Sequence, residues 1–327
     1  MRVSHMSWQR ILAQGFRSAG ELTSFLNLPQ SCASIDAEQQ FKTRVPRGFV
    51  ARMQPNNPND PLLLQVLAQA AETNVVDAYV LDPLAESQTN KHQGLIHKYH
   101  NRVLITLAGA CAIHCRYCFR RHFPYQQNRL DGQAFSNILT YIKAHPEIDE
   151  VILSGGDPLL VGNSMLQSVM QQLKELTQLR TLRFHTRIPV VLPERIDEEF
   201  LQVLQSWSRH KVMVLHINHP QEINEEIQAI CLLLKQAGCV LLSQSVLLKG
   251  VNDCADTLAR LSMSLFDCGI LPYYLHKLDK VVGAAHFDLS SATISALYQQ
   301  LQARLPGYLV PRLVQELPGK HSKTLIV

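Results

Sequence analysis

No run of about 18 uncharged apolar residues occurs anywhere in the 327-residue chain, which argues against a membrane-spanning helix. The opening MRVSHMSWQRILAQGF is interrupted by Gln and Arg and does not read as an export signal. Charge is sparse. Asp, Glu, Lys and Arg make up 18% of residues, with a formal net charge of +4 and no basic stripe interleaved with aromatics. Neither nucleic acid nor a membrane is therefore expected as a partner. Gly (15) and Pro (16) are too few for a collagen-like or linker-like chain. What the sequence does have is apolar side chains, 46% of the total, which is ample for a packed core and excludes wholesale disorder. The length suits about two domains or one large α/β barrel. A cytoplasmic location is expected.

The eight cysteines should not form a disulfide framework in such a setting. Cys32, Cys231, Cys239, Cys254 and Cys268 are scattered and suggest no role, whereas Cys111, Cys115 and Cys118 fall within eight residues. That clustering points to a metal or redox centre.

From Arg102 the chain settles into a rhythm. The runs RVLITL, EVILSGGD, LRTLRFHTR, KVMVLHINHP, CVLLSQSVLLKG and ILPYYLHKLD read as strands. Amphipathic stretches such as NSMLQSVMQQLKEL and NEEIQAICLLLKQAG lie between them and read as helices, the latter ended by Gly238. About six β-then-α units at roughly 25–40 residue spacing predict a parallel sheet covered by helices. Eight units would close a full barrel, so six predict a partial (β/α)6 barrel; a flat doubly wound sheet is the alternative. Residues 1–100 read as a mostly helical N-terminal region, with a short helix in PLLLQVLAQAAET and an irregular segment up to His97. The barrel then spans 101–285, and 286–327 forms a C-terminal segment.

Each strand ends in a polar loop, and in this architecture such loops converge on one mouth. In GACAIHCRYCFRRHF the spacing is Cys111-x3-Cys115-x2-Cys118. Three thiolates can share a structural zinc with His122 as the fourth ligand. They can also hold an iron–sulfur cube with one iron left open to a chelating molecule. The flanking Arg116, Arg120, Arg121 and His122 argue against three ordinary core cysteines. The terminal GKHSKT superficially suggests a phosphate loop, but the first glycine of that motif is missing. A lysine in such a loop near a barrel mouth can instead form a Schiff base, since desolvation lowers its pKa.

The C-x3-C-x2-C loop and the six β/α units resemble the radical S-adenosylmethionine superfamily. The stretches HKYHNRVLITLAGACAIHCRYCFRRHF, VILSGGDPL, RFHTRIPVVLPERI, INHPQEI, SVLLKGVND, PYYLHKLD and ELPGKHSKT together resemble the lysine 2,3-aminomutase family. They run from about residue 97 to 324. The short chain and the GKHSKT loop look more like the branch that serves elongation factor P β-lysylation. Larger aminomutases continue into a C-terminal extension.

The resemblance implies three cofactors: a [4Fe–4S] cluster, S-adenosylmethionine and pyridoxal 5′-phosphate (PLP). It assigns Cys111, Cys115 and Cys118 to the cluster. It assigns Ser154, Gly155, Gly156 and Asp157 to the amino group of S-adenosylmethionine, with His216, Asn218, His219 and Gln244 lining the same side. Lys323, with Lys320 as runner-up, matches the lysine that forms the aldimine with PLP. Lys98, Tyr99 and Arg102 match the phosphate site; Lys98 stands where the larger enzyme has arginine. Arg120 matches the clamp for the substrate carboxylate. Asp279 and Glu316 match the two acids for the substrate's distal ammonium, Glu316 replacing an aspartate.

The activity so implied is conversion of L-α-lysine to (R)-β-lysine. A 5′-deoxyadenosyl radical abstracts a β-hydrogen from the lysine–PLP aldimine, and the nitrogen migrates through a ring radical. The implied partners are free L-lysine, a reductant such as flavodoxin or ferredoxin, elongation factor P with its lysine ligase, and a second copy in a homo-oligomer. Two rivals stand beside this reading. One is the same chemistry on another amino acid; the other is a zinc-binding interaction protein without iron or activity.

Overall fold

From Arg102 onward each of the six runs read as strands forms one, and the strands stack in the order in which they leave the chain. The computed structural model describes residues 6–326; residues 1–5, which open the stretch read as no export signal, and residue 327 lie outside them. One ten-stranded sheet runs through the molecule. Its strands are β1 (Asn90–His92), β2 (Leu95–Tyr99), β3 (Arg102–Ala108), β4 (Glu150–Gly155), β5 (Thr181–Thr186), β6 (His210–His216), β7 (Cys239–Val246), β8 (Leu271–His276), β9 (Arg312–Gln315) and β10 (Thr324–Leu325). Every neighbouring pair from β3 to β9 is parallel. The flanking strands β1, β2 and β10 join antiparallel. Strand order follows chain order throughout, with no reversal of the kind a doubly wound sheet requires.

The sheet is strongly curled. Lys98 on β2 and Glu316, next after β9, form an ion pair of 2.8 Å. Seven strand spacings would hold them roughly 34 Å apart in a flat sheet. Among the described residues β1 and β10 do not pair, so the barrel is partial and open. No described helix is long and apolar enough to cross a membrane.

The crossover helices begin where short polar side chains satisfy their first N–H groups. Asp131 accepts from Ala134 N (2.8 Å) to start Gly132–Ala144. Asp197 and Asn224 do the same for Glu198–Gln205 and Glu225–Gln236. Gly238, at φ +84°, turns the chain out of the last of these into β7, as its position in the sequence suggests.

The helices Trp8–Ala13 and Ala19–Phe25 pack into the same apolar cluster as the barrel, together with Phe49, Phe184 and Phe200. The stretch PLLLQVLAQAAET is not one helix. It splits into Pro61–Leu64 and a 3-10 turn Ala70–Thr73, and the Gln65 carbonyl between them accepts from Arg116 N at 2.8 Å. The segment before His97 is irregular over residues 74–85, as expected, but its last part is ordered. β1 and β2 form a hairpin around Gly94 (φ +80°), because β2 finds an apolar register on β3 with Leu95 opposite Ile105.

Candidate active site

The loops after the parallel strands enclose a cavity of about 280 Å³. Cys111, Cys115 and Cys118 line it, and so do Asp279, Glu316 and Lys323. Segments more than 200 residues apart in sequence, Cys111 and Lys323 among them, thus meet in one chamber.

The cysteine loop is fastened by buried charge. Arg116 is fully buried, and its Nη2 lies 2.7 Å from Glu72 Oε2. Arg121 reaches the same oxygen at 3.1 Å. The arginines that flank the thiols therefore tie the loop to the N-terminal region rather than facing water. The three thiols are free. Burial, reinforced by Cys115, pushes Cys118 up to about 11, and burial beside Cys118 raises Cys111 well above an ordinary thiol. Thiols crowded in this way ionise only when a cation compensates them, so the donor set suits a bound metal cluster. Among the described residues no three His, Cys, Asp or Glu side chains converge as on a single metal ion. His122 instead lies 3.4 Å from the Val282 carbonyl and lines a second, neighbouring cavity.

Sequence reasoning missed Arg187. Its Nη1 donates to Cys115 Sγ and to the Tyr117 hydroxyl, both at 2.8 Å. Its Nη2 donates to Gln65 Oε1 at 2.7 Å and Glu222 Oε2 at 2.9 Å. Only its position just beyond the C-terminal end of β5 hinted at this placement.

Ser154, Gly155, Gly156 and Asp157 line the cavity at the end of β4. The glycines are required by a neighbouring strand rather than by the cavity alone. A Cβ on Gly156 would lie 2.2 Å from the Ala110 carbonyl oxygen, and one on Gly155 (φ +114°) 2.5 Å from the Ala108 oxygen. Asp157 accepts from Thr186 Oγ1 at 2.7 Å, Arg187 N at 2.8 Å and Leu159 N at 3.1 Å. Burial nevertheless pushes it up to about 6. Its oxygens clasp β4 to β5, so they are spent before any ligand arrives.

His216 and Gln244 also line the cavity, but Asn218 and His219 do not. Asn218 is fully buried and donates to Tyr117 Oη at 2.6 Å and Gln65 Oε1 at 3.0 Å, while its own oxygen accepts from Val246 N at 2.8 Å. His219 Nδ1 accepts from Gln221 N at 3.2 Å, capping a turn. The two are supports behind the wall, and nothing in their local sequence marks that difference.

At the other end, Lys323 Nζ and Lys98 Nζ both hold Glu316. Burial alone would raise the Glu316 carboxyl, but the two ammonium groups outweigh it and hold it well below the usual carboxylate range. Lys320 lies on an exposed turn and does not line the cavity. Asp279 has no ion-pair partner among the described residues, and burial beside Glu316 pushes it up to about 7. The Tyr99 hydroxyl, near Glu316, is buried without a hydrogen-bond partner. The Arg102 guanidinium lies 4.7 Å over the Tyr99 ring and donates to Asn101 at 3.3 Å. An unpartnered hydroxyl and an arginine without a carboxylate on the cavity wall suit an anion such as phosphate.

Two further histidines, His185 and His276, belong to strand-end polar loops but carry no assigned role from the sequence, and both line the same wall. Burial, with Lys323 nearby, takes His276 down to about 3, and its Nε2 is buried without a partner. Arg120 lies on the wall between the two cavities, in a fork with Glu86.

Three free thiols on the loop after the first parallel strand of an open barrel define an iron–sulfur class of protein, and residues 101–204 match the family model of a 4Fe-4S single cluster domain. Over 98% of its length the chain is 44% identical to L-lysine 2,3-aminomutase of Escherichia coli (strain K12), spanning 94% of that protein. It is 45% identical, over 98% of the chain and 95% of the relative, to L-lysine 2,3-aminomutase of Haemophilus influenzae. The chain belongs to the L-lysine 2,3-aminomutase family. Among solved structures it is similar to a radical SAM methyltransferase from Sphaerobacter thermophilus, with 17% identity, a TM-score of 0.47 and 68% of each chain covered.

Proposed function

We propose that this protein is an isomerase that converts L-α-lysine to (R)-β-lysine for attachment to elongation factor P. The observation that carries the reading is the meeting, in one cavity, of three clusterable thiols, an enclosed lysine and an unpaired buried acid. Bound there, a [4Fe–4S] cluster with S-adenosylmethionine supplies the adenosyl radical, and PLP supplies the electron sink for migration of the amino group.

The protein's own part is placement. Cys111, Cys115 and Cys118 hold the cluster, with Arg187 beside Cys115 to balance thiolate charge. Ser154, His216 and Gln244 face S-adenosylmethionine, and Asp157, Asn218 and His219 stiffen that wall from behind. Lys323 would provide the amine that bonds PLP, and Arg102, Tyr99 and Lys98 on the same wall would hold its phosphate. Arg120 receives the substrate carboxylate. Asp279, which has no ion pair among the described residues, would receive the distal ammonium, joined by Glu316 once Lys323 and Lys98 turn to PLP. Enclosure keeps water from the reacting centre. A flavodoxin- or ferredoxin-like reductant in the cytoplasm feeds the cluster, a separate ligase uses the product, and a homo-oligomer is compatible with this scheme.

The test is anaerobic purification with iron, PLP and turnover analysis. About four irons per chain are expected, with brown colour lost in Cys115→Ala. Borohydride should fix PLP to Lys323. A colourless protein with one zinc, label on Lys320, or no β-lysine from lysine under reducing conditions would overturn the reading.

A further inference from the structure

Arg120 does not stand free in the cavity. Its Nε donates to Glu86 Oε2 at 2.8 Å and its Nη2 to Glu86 Oε1 at 2.6 Å. Its Nη1 donates to Ser154 Oγ at 3.2 Å. The aromatic rings of Phe119 and Phe123 lie 4.9 and 5.9 Å from the guanidinium carbon. The side-on edge of the guanidinium is thus fully engaged, and the group is gripped from several directions.

A guanidinium carries five N–H donors. Three are used in these bonds, which leaves one on Nη1 and one on Nη2. With Ser154 on the Nη1 hydrogen that faces back along the side chain, those two lie at the end of the fork, the geometry that takes a carboxylate with two parallel hydrogen bonds. An arginine on a flexible stem loses rotamer freedom when it binds; one already held loses less.

Glu86 is itself aimed by its backbone. It opens the short helix Glu86–Thr89 directly after Ala85, a non-glycine residue in the left-handed region at φ 50°. Asp82 ties that turn down, accepting from Glu86 N at 3.0 Å and from Ser87 N at 3.1 Å. Glu86 is only 8% exposed. A strained, anchored turn thereby delivers a carboxylate 34 positions upstream onto the arginine two residues after the last cluster cysteine.

We infer that Glu86 is a positioning residue for substrate recognition. It locks Arg120 by one edge so that the other edge forms a preorganised fork for the α-carboxylate of the incoming amino acid. The inference rests on the reading of Arg120 as the carboxylate clamp. It adds that specificity for a free carboxylate depends on a residue that never touches substrate. Glu86, like Arg120, also lines the second cavity, so the pair is a partition as well as a clamp.

The experiment is equilibrium binding by calorimetry to the full chain loaded with cluster and PLP, in the absence of S-adenosylmethionine so that nothing turns over. The probes are L-lysine and L-lysinamide, which keeps both amines and lacks the carboxylate. Wild type should bind lysine at least tenfold more tightly than lysinamide. Glu86→Gln keeps the shape but loses the charge that holds the fork. It should weaken lysine about tenfold and leave lysinamide unchanged, and turnover should show a higher KM with kcat little altered. Iron and PLP content should match wild type.

If wild type does not distinguish the two ligands, the clamp reading of Arg120 fails. If wild type distinguishes them and Glu86→Gln does so equally well, or binds lysine more tightly, the positioning role fails while the clamp stands. Should Glu86→Gln not fold, Glu86→Asp retains a charge for buried Arg120 but shortens the arm by one methylene. A selective loss for lysine is again expected, and wild-type affinity for both ligands overturns the inference.

Discussion

Replacing Asp279 by Asn tests the substrate assignment most sharply, because the structure leaves this acid alone to meet a second positive charge. Glu316 is engaged by Lys98 and Lys323, whereas Asp279 is enclosed and without an ion-pair partner among the described residues. The substitution keeps shape and removes charge. A hydrogen bond to a charged group contributes roughly 1.5–3 kcal/mol, which corresponds to a loss of about ten- to a hundredfold in kcat/KM for lysine. Norleucine, which lacks the distal amine, should bind wild type and variant about equally. There is also a pH arm. Burial holds the Asp279 carboxyl up to about 7 in the empty site, so the ionised form that attracts ammonium is lost as pH falls through 7. Lysine affinity of wild type should therefore gain a dependence of up to about tenfold per unit below pH 7, and this added dependence, absent for norleucine, should be lost in Asp279→Asn. The assay is lysine binding and anaerobic β-lysine formation between pH 6 and 8.5, with iron and PLP contents matched. A variant that turns over lysine as well as wild type, with the same pH profile, refutes the reasoning and makes Asp279 a structural acid.

Gly156→Ala should destabilise the barrel by about 3 kcal/mol, the upper part of the usual overpacking range, because the clashing partner is the Ala110 backbone rather than a movable side chain; thermal unfolding and iron content report it. Glu72→Ala leaves Arg116 and Arg121 buried without their shared carboxylate, so a loss of about 3–5 kcal/mol is expected in chemical denaturation. Lys320→Ala should retain full borohydride-stable PLP incorporation, since that side chain is outside the cavity, while Lys323→Ala should retain none.

The parts of this architecture that sequence revealed are those with a local signature. β3 and β4 are near-continuous apolar runs because a parallel strand is covered on both faces, β4 being buried along its whole length, whereas β5 and β7 alternate because one of their faces is less deeply buried. The thiols announce themselves by spacing, and Lys323 and Asp279 by motifs within seven matching stretches. The β1–β2 hairpin was opaque because its register is set by β3, not by its own pattern. Glu86, and the particular contacts of Arg187 and His276 within their strand-end loops, were opaque for a related reason. Each acquires its place through partners or a cavity supplied by distant segments, as with Arg187 and Cys115, 72 positions apart. Asn218 and His219 show the converse. They sit where functional polar groups belong, yet their atoms are consumed by Tyr117, Gln65 and a turn. Polar residue type at a strand end reports proximity to the mouth but not which way the hydrogen bonds run.

The open barrel is a split ring, and its ends are joined by a clasp of side chains instead of by a ladder of peptide groups. Backbone pairing across such a seam would fix its width in whole steps of register. Here one glutamate on the β9–β10 lip reaches across to Lys98 on the β2 lip, with Lys323 of its own lip beside it. A single methylene added or removed at Glu316 therefore resizes the aperture without disturbing any strand. Lys323 stands on the same lip as Glu316 and steadies the carboxylate without crossing the seam, so the Lys98–Glu316 bond is the part of the clasp that spans the opening.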